Sequence, residues 1–481
     1  MTGKELVDRS VRELAELLGK REVSASEIVR AYAERIEEIN GFLNAYVYVN
    51  VTEAVRSAER FDMKEHGSGA GNMLAGIPYA VKDNIAVAGL PMTCASNMLK
   101  DFVPDYTADV CGKAGDIILG KTNLDEFAMG STCERSVFGV TPNPLDTDRI
   151  CGGSSGGSAS AVAAGLAPWA LGTDTGGSAR LPAAYCGLVA MKPTYGLISR
   201  YGVTELASSM DTVSPMTRNV TDNAWIFDRI SGKSRSDMTS ADPAEDSSPS
   251  VEDGIKGLRI AALDCGNPVF DRACDRLRKE GAEVEDACGS LDEILDCAIA
   301  IYYFINSAES FSNMSRYDGI RYGLRGEGGS YEDMVSAARD AGLGEEVRRR
   351  IISGAKVLSL EPNGAYYRRV LGMRAVLEAR MDRYLSGYDA VFMMTSEREA
   401  PHLSGSEDQP QDMYFMDSRT CIANLSGCPS LTVPIGGRNG MPLGGSLMGR
   451  KLSEPVLYRA AYVLEQELES EITCEVRRTD E

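Results

Sequence analysis

Between residues 152 and 200 the chain is rich in Gly, Ser and Ala and nearly free of charge. A stretch of this kind can be a flexible linker. Its content argues otherwise, because residues 159–167 follow a small-residue helical pattern and 169–171 are apolar. Small side chains let backbone elements approach closely. The segment is therefore expected at a buried centre, where helix and strand pack against each other.

The flanking segments read as regular elements. Ser10-x-x-Glu13 and Ser24-x-x-Glu27 fit capping boxes, and each opens an amphipathic run. Val11, Leu14, Leu17 and Leu18 share one helical face, as do Ile28, Tyr32, Ile36 and Ile39. Residues 1–50 are thus expected to hold two helices. Short buried strands are expected at 75–81 and 116–120. Residues 232–253 are polar, Ser- and Asp-rich, and contain two prolines, which predicts an exposed loop between two lobes. Beyond it, a strand at 258–263, a helix at 268–281 and a strand around Val284 alternate as in α/β folds. Residues 345–385 predict helix interrupted at Pro362, followed by a strand at 425–434 and a closing helix at 454–469. No repeat of fixed period is present.

The 481 residues include 50 Lys and Arg against 70 Asp and Glu, a net charge of −20. A surface this acidic is unsuited as a whole to nucleic acid or an anionic membrane. The two histidines, His66 and His402, lie in no zinc-ligand pattern. A hydroxyl nucleophile here is expected to use another base. No two of the twelve cysteines are spaced C-x-x-C, which argues against zinc ribbons and thioredoxin-like motifs. The first residues carry charges where the apolar core of a secretory signal would sit, and the most apolar stretch, 158–172, is too short to span a bilayer. A cytoplasmic protein with reduced thiols and no membrane contact is the expectation.

Three places carry side chains suited to catalysis. Lys82 ends the run Ala-Val-Lys82-Asp-Asn. A lysine there is commonly a solvated strand end. Held in a dry site instead, it gives up its proton more easily and becomes a base. The second place, Gly152-Gly-Ser154-Ser155-Gly-Gly-Ser158, lacks the Gly-Lys-Ser/Thr ending of a Walker A loop. What remains is a tight turn presenting serine hydroxyls at the mouth of a small-residue helix. The third is Gly172-Thr-Asp-Thr-Gly-Gly-Ser178-Ala-Arg180. Two glycines before a serine permit a backbone path that aims several N–H groups at one point, as an oxyanion hole requires. A plain turn with a serine N-cap is the alternative. One lysine and two separated serines in such settings match a base, a proton relay and a nucleophile.

These motifs resemble the amidase signature family, whose mark is the Gly/Ser-rich stretch. The resemblance implies an α/β fold, a single large domain over 1–481 with a mixed central β-sheet covered by helices on both faces. Within it, 1–50 would supply N-terminal helices, 75–200 the catalytic core, 232–253 the exposed loop, and 254–481 a second lobe completing the substrate pocket. It also implies a Ser-cisSer-Lys triad, with Ser178 as nucleophile, Ser154 as the cis-peptide serine and Lys82 as base. The implied oxyanion loop is Thr175, Gly176, Gly177 and Ser178.

Within the family, Gly120-Lys-Thr-Asn-Leu-Asp-Glu-Phe-Ala-Met-Gly130 and Ser315-Arg-Tyr-Asp-Gly-Ile-Arg-Tyr-Gly323 are similar to the A-subunit branch of the tRNA-dependent amidotransferases. That similarity implies a glutaminase, with Arg350 for the α-carboxylate of glutamine, Asp417 for its α-amine and Tyr302 lining the pocket. Taken alone, Arg350 fits a solvated helix face and Asp417 a helix N-cap. The chain departs from the family pattern in a shorter segment between Val110 and Ile117. It departs again in Thr395-Ser-Glu-Arg-Glu-Ala-Pro401, and in cysteines such as Cys151 and Cys186 close to the catalytic loops.

The resemblance further implies no cofactor in this chain. ATP and Mg²⁺ would serve a partner B subunit that activates Glu-tRNA(Gln) or Asp-tRNA(Asn), with tRNA held mainly there and a small C subunit bridging the two. Two rivals stand beside this reading. One is a stand-alone amidase acting on another small amide. The other is a catalytically silent scaffold, against which the complete triad speaks.

Overall fold

The computed structural model describes residues 2–65, 73–403 and 416–466. His66 and the end of the expected closing helix lie outside them. Among the described residues no helix is long and apolar enough to cross a membrane.

The N-terminal segment forms three helices, Gly3–Val7, Val11–Gly19 and Ala25–Leu43, each opened by a capping box, at Thr2, Ser10 and Ser24. The first was not expected, because five residues are too few to show a helical period. Its Leu6 and Val7 are buried nonetheless. The segment near Val110, expected to be shorter than the family pattern, is a six-residue helix, Asp109–Ala114.

The strands are β1 (Tyr46–Val49), β2 (Tyr79–Lys82), β3 (Ile118–Thr122), β4 (Pro142–Asn143), β5 (Asp146–Ile150), β6 (Trp169–Asp174) and β7 (Val189–Lys192). They continue with β8 (Thr212–Thr217), β9 (Arg259–Ala262), β10 (Glu283–Asp286), β11 (Ala390–Met394), β12 (Ser430–Arg438) and β13 (Met441–Met448). Eleven of them make one mixed sheet in the order β1-β3-β2-β6-β8-β7-β12-β13-β11-β9-β10, and β4 and β5 form a separate ribbon. β2 runs parallel to β3 and β6, and β9 to β10 and β11. The other neighbours are antiparallel. Strand starts lag the sequence expectation where proline intervenes. Pro78 precedes β2 and Pro429 precedes β12, since proline offers no N–H to a ladder.

The segments before and after residues 232–253 meet in that sheet, where Ser430, Leu431 and Thr432 of β12 pair with Lys192, Met191 and Ala190 of β7. The fold is therefore a single α/β domain with a large mixed sheet flanked by helices, not two bodies joined by a linker. The connecting loop is mostly exposed, yet Asp237, Ser240 and Ser247 within it are buried. Arg200 N–H donates to Asp237 (2.8 Å) and Ser247 N–H to Asp228 (2.8 Å), pinning the loop to the body.

The Gly/Ser-rich segment is the buried centre. Every residue of β6 and of the helix Gly156–Ala163, except Ala163, is buried. Small residues are required there by distance. A Cβ on Gly157 would stand 2.4 Å from Asn123 N.

Candidate active site

Lys82 is the last residue of β2, flanked by the parallel strands β3 and β6, and its side chain is wholly buried. Its Nζ lies 2.7 Å from Ser154 Oγ and 2.8 Å from both Ser155 Oγ and Thr173 Oγ1. The next residue gives no charge partner, because Asp83 turns away to Lys121 (2.9 Å) and to Thr93. Burial lowers Lys82 to about 7, opposed in part by the carboxylates of Asp125, Asp174 and Asp211. A neutral amine is thus accessible near neutral pH. Ser155 donates its own hydroxyl proton to Thr173 O (3.0 Å), so toward Lys82 it acts as an acceptor. Ser154 keeps its proton available to the amine.

The turn that delivers Ser154 is shaped from below. The Gly153–Ser154 peptide bond is cis. A Cβ on Gly153 would sit 2.1 Å from Asp125 Oδ2. Asp125 accepts N–H bonds from Cys133 (2.9 Å) and Arg135 (3.2 Å), so the 120–130 segment is the floor of this loop. Cys151 and Cys186 are buried beside it, neither in a disulfide.

The second loop leaves β6 at Asp174. Its carboxylate accepts from Gly177 N (2.9 Å), Ala179 N (3.2 Å) and the Arg180 guanidinium (3.0 and 3.1 Å). Burial alone would raise this carboxyl, but Arg180 holds it down at about 2. Ser155 N donates to Ser178 O (2.9 Å), which brings the two serine loops together. Thr175 Oγ1 donates to Asp211 (2.6 Å), and Thr420 Oγ1 donates to Gly176 O. Gly177 adopts a φ of +136°, and a Cβ there would meet Thr420 Oγ1 at 2.1 Å. One expectation changes. Gly177 N–H is already engaged by Asp174, so this residue shapes the loop without donating to an oxyanion. Among the described residues, the N–H groups of Thr175, Gly176 and Ser178 have no acceptor and remain the donors available.

Arg350 and Asp417 are each only 4% exposed, which removes the solvated-face reading, and the Asp417 carboxylate bonds side chains and not the backbone N–H groups that an N-cap would hold. Asp417 accepts from Ser131 Oγ (3.1 Å) and Tyr303 OH (3.1 Å). Arg350 Nε donates to Glu346 (2.9 Å), and its guanidinium lies 5.4 Å from the Tyr303 ring centre. Tyr303 therefore touches both charged groups. Tyr302 packs edge-on against Tyr303, and its ring borders Gly176, where a Cβ would fall 2.4 Å from Tyr302 Cζ. Burial raises Asp417 to about 7, with Arg350 opposing. The 120–130 segment reaches here too, as Glu126 accepts the N–H of Gly344 at the start of the Arg350 helix, Glu345–Ser359.

The structure thus gathers every residue expected at the site from the sequence. It adds Ser155, Thr173, Asp174, Asp211, Ser131, Tyr303 and Thr420. Ser155 and Tyr303 were adjacent to chosen residues and carried that much signal. Thr173 and Asp174 lie within the Gly172–Arg180 motif and Ser131 follows the 120–130 segment, whereas Asp211 and Thr420 come from distant parts of the chain and carried no signal. His402 forms a β-bridge with Arg149, outside this cluster. The departing 395–401 segment extends the sheet through Thr395 N to Gly444 O (2.9 Å), and its Glu397 pairs with Arg419. The 315–323 segment does not enter the site. Its Arg316, Tyr317 and Tyr322 line a separate cavity of about 540 Å³ together with Tyr106, Arg200 and Tyr201.

Comparison with known proteins places this geometry. The amidase family model matches residues 27–457. The A subunit of the glutamyl-tRNA(Gln) amidotransferase of Methanosarcina barkeri is 42% identical over 458 residues, covering 93% of this chain and 94% of that one. The crystal structure of the corresponding glutamyl-tRNA(Gln) amidotransferase A chain from Thermotoga maritima superimposes with a TM-score of 0.80 at 33% identity, covering 98% of this chain and 99% of that one. The peptide amidase of Stenotrophomonas maltophilia gives a TM-score of 0.82 at 28% identity, covering 98% and 99%. Fold alone does not separate these branches; sequence identity favours the amidotransferase polypeptides. The chain belongs to the amidase family.

Proposed function

We propose that this chain is the glutaminase component of a tRNA-dependent amidotransferase. The observation that carries the reading is the buried pair Asp417 and Arg350, both in contact with Tyr303, next to a loop with three unengaged N–H donors, those of Thr175, Gly176 and Ser178. A free amino acid presents one cation and one anion at fixed distance, and such a pair matches it. The relatedness to the glutamyl-tRNA(Gln) amidotransferase A subunits of Methanosarcina barkeri and Thermotoga maritima supports this reading.

In this reading Ser178 Oγ attacks the side-chain amide carbon of glutamine. Its proton passes to Ser154 Oγ as the Ser154 proton passes to neutral Lys82. The negative charge that develops on the amide oxygen is met by N–H groups of Thr175, Gly176 and Ser178. The tetrahedral adduct collapses, and the leaving nitrogen takes a proton back from Lys82 through Ser154 and departs as ammonia. A water molecule, deprotonated by the same relay, attacks the ester on Ser178 and releases glutamate. The ammonia is consumed by a B subunit that activates the carboxylate of Glu-tRNA(Gln) or Asp-tRNA(Asn) with ATP and Mg²⁺, and a C subunit completes a cytoplasmic heterotrimer.

Ser178→Ala tests this directly. It should abolish glutamine hydrolysis while the assembled complex still amidates tRNA when ammonia is added. Loss of both activities in a folded, assembled variant would remove Ser178 from the role assigned to it.

A further inference from the structure

Among the described residues, one group of three potential metal-ligating side chains lies within reach of a single cation: Cys265, Asp286 and Cys288, whose ligand atoms all lie within 4.8 Å of one another. They do not overlap the catalytic cluster. Their convergence follows from topology. β9 and β10 are adjacent parallel strands with Asp286 paired to Ala262, so both strands end side by side. Cys265 follows the end of β9 by three residues, and Cys288 follows the end of β10 by two. The turn after β10 is fixed by Ala287 N to Ala262 O (2.9 Å) and Cys288 N to Asp286 Oδ1 (3.2 Å), which holds the Cys288 thiol on the side of Cys265.

We propose that Cys265, Cys288 and Asp286 form a binding site for a borderline-soft divalent cation, Zn²⁺ by its chemistry, with a fourth position open to water. Tetrahedral zinc with Zn–S near ~2.3 Å and Zn–O near ~2.1 Å needs sulfurs about 3.8 Å apart and a carboxylate oxygen about 3.6 Å from each. The three ligand atoms already lie within 4.8 Å of one another, so each pair has to close by about 1.2 Å at most. Two thiolates and a carboxylate select zinc over the hard cations Mg²⁺ and Ca²⁺. Binding releases the two thiol protons, so affinity falls as pH drops.

The site has a structural task. β10 is the edge of the sheet, four residues long and largely exposed. A cation bridging its end to the end of β9 fastens that edge. Cys265 also follows Asp264, which holds Met394 N (2.7 Å) and Arg419 (2.7 Å), so the anchor on the β9 side is firm.

The full chain, reduced and freed of metal, should take up one equivalent of Co²⁺ with the intense near-ultraviolet sulfur-to-cobalt band of a dithiolate site. Zn²⁺ should displace it, with two protons released per metal, and should raise Tm. Cys265→Ser and Cys288→Ser should each abolish the band. Asp286→Asn should weaken binding tenfold or more, and Cys297→Ser, at an exposed thiol elsewhere, should change nothing. Absence of the band in the reduced protein overturns the proposal. So does a band that survives both cysteine variants, or a Cys265–Cys288 disulfide forming in a protein that takes up no Co²⁺ when reduced.

Discussion

Lys82 shows how one residue's setting decides its chemistry. An ordinary lysine titrates near ~10.4, so at neutral pH only a few molecules in ten thousand carry a free amine. Burial brings Lys82 to about 7, where the neutral form is abundant. The neutral amine is the reactive form, so hydrolysis of any amide should rise with pH through about 7 and level off above it. Lys82→Arg keeps the charge but stays protonated at any working pH, and it should be nearly inactive with its fold preserved by circular dichroism. Substantial activity in that variant would make Lys82 a structural group. Asp417 titrates in the same range, but its protonation acts on binding and not on the chemical step. Burial places it at about 7, so it loses the charge that attracts an ammonium as pH falls below that value. The ratio of kcat/KM for glutamine to that for an uncharged simple amide cancels the Lys82 effect. It should drop as pH falls through about 7. Asp417→Asn should lower the ratio above about 7 and flatten its pH dependence, with the two proteins converging at lower pH where Asp417 is already neutral. Arg350→Ala should raise KM for glutamine about tenfold or more, since charge-assisted hydrogen bonds contribute roughly 1.5–3 kcal/mol. A ratio indifferent to both variants would show that neither residue reads the amino-acid head group.

At the scale of elements, the oxyanion loop is held by the helix that starts one residue after Thr420, Cys421–Ser426. Thr420 Oγ1 donates to Gly176 O, and Thr420 O and Asn424 Oδ1 receive Arg180 Nη2 at 2.9 and 2.8 Å. Thr420→Val keeps the shape and removes the hydroxyl. One neutral hydrogen bond contributes about 0.5–1.5 kcal/mol, so kcat should fall about two- to tenfold for glutamine and simple amides alike, with KM little changed. A selective rise in KM for glutamine would place Thr420 in substrate recognition instead. This element also marks the limit of sequence reading. The loop itself was legible, because Gly-Gly-Ser has few other uses in a charge-poor segment. Its support was not, because Thr420 and Gly176 lie 244 residues apart and threonine before a short helix carries no period or motif. The same holds for the N–H of Gly177, whose capture by Asp174 depends on a backbone path that composition permits without specifying. Elements with a period, a cap or a proline boundary were legible to within a few residues. The first helix, too short for a period, and the register joining β7 to β12 were not.

The whole molecule depends on that register. Lys82, Ser154, Ser178 and the loop 175–178 lie before residue 232, whereas Asp417, Arg350 and Thr420 lie after it. The two parts share one sheet through β7 and β12, and Arg180, 1% exposed, finds two of its acceptors in the later part. Cutting the chain in the 232–253 loop would expose β7 as a bare sheet edge and leave the Arg180 guanidinium short of partners, a costly state for a buried charge. The chain should therefore unfold as one unit despite its length. Both tryptophans, Trp169 and Trp225, lie in the earlier part, so their fluorescence reports that part alone, while far-ultraviolet circular dichroism reports the whole. In urea the two signals should change at the same midpoint, and amide hydrolysis should vanish in the same transition. A fragment ending at Ser231 should be insoluble or unfolded and inactive. If circular dichroism fell in a separate earlier step while fluorescence held, the later part would be unfolding by itself. The seam between β7 and β12 would then be a contact between two units and not the middle of one.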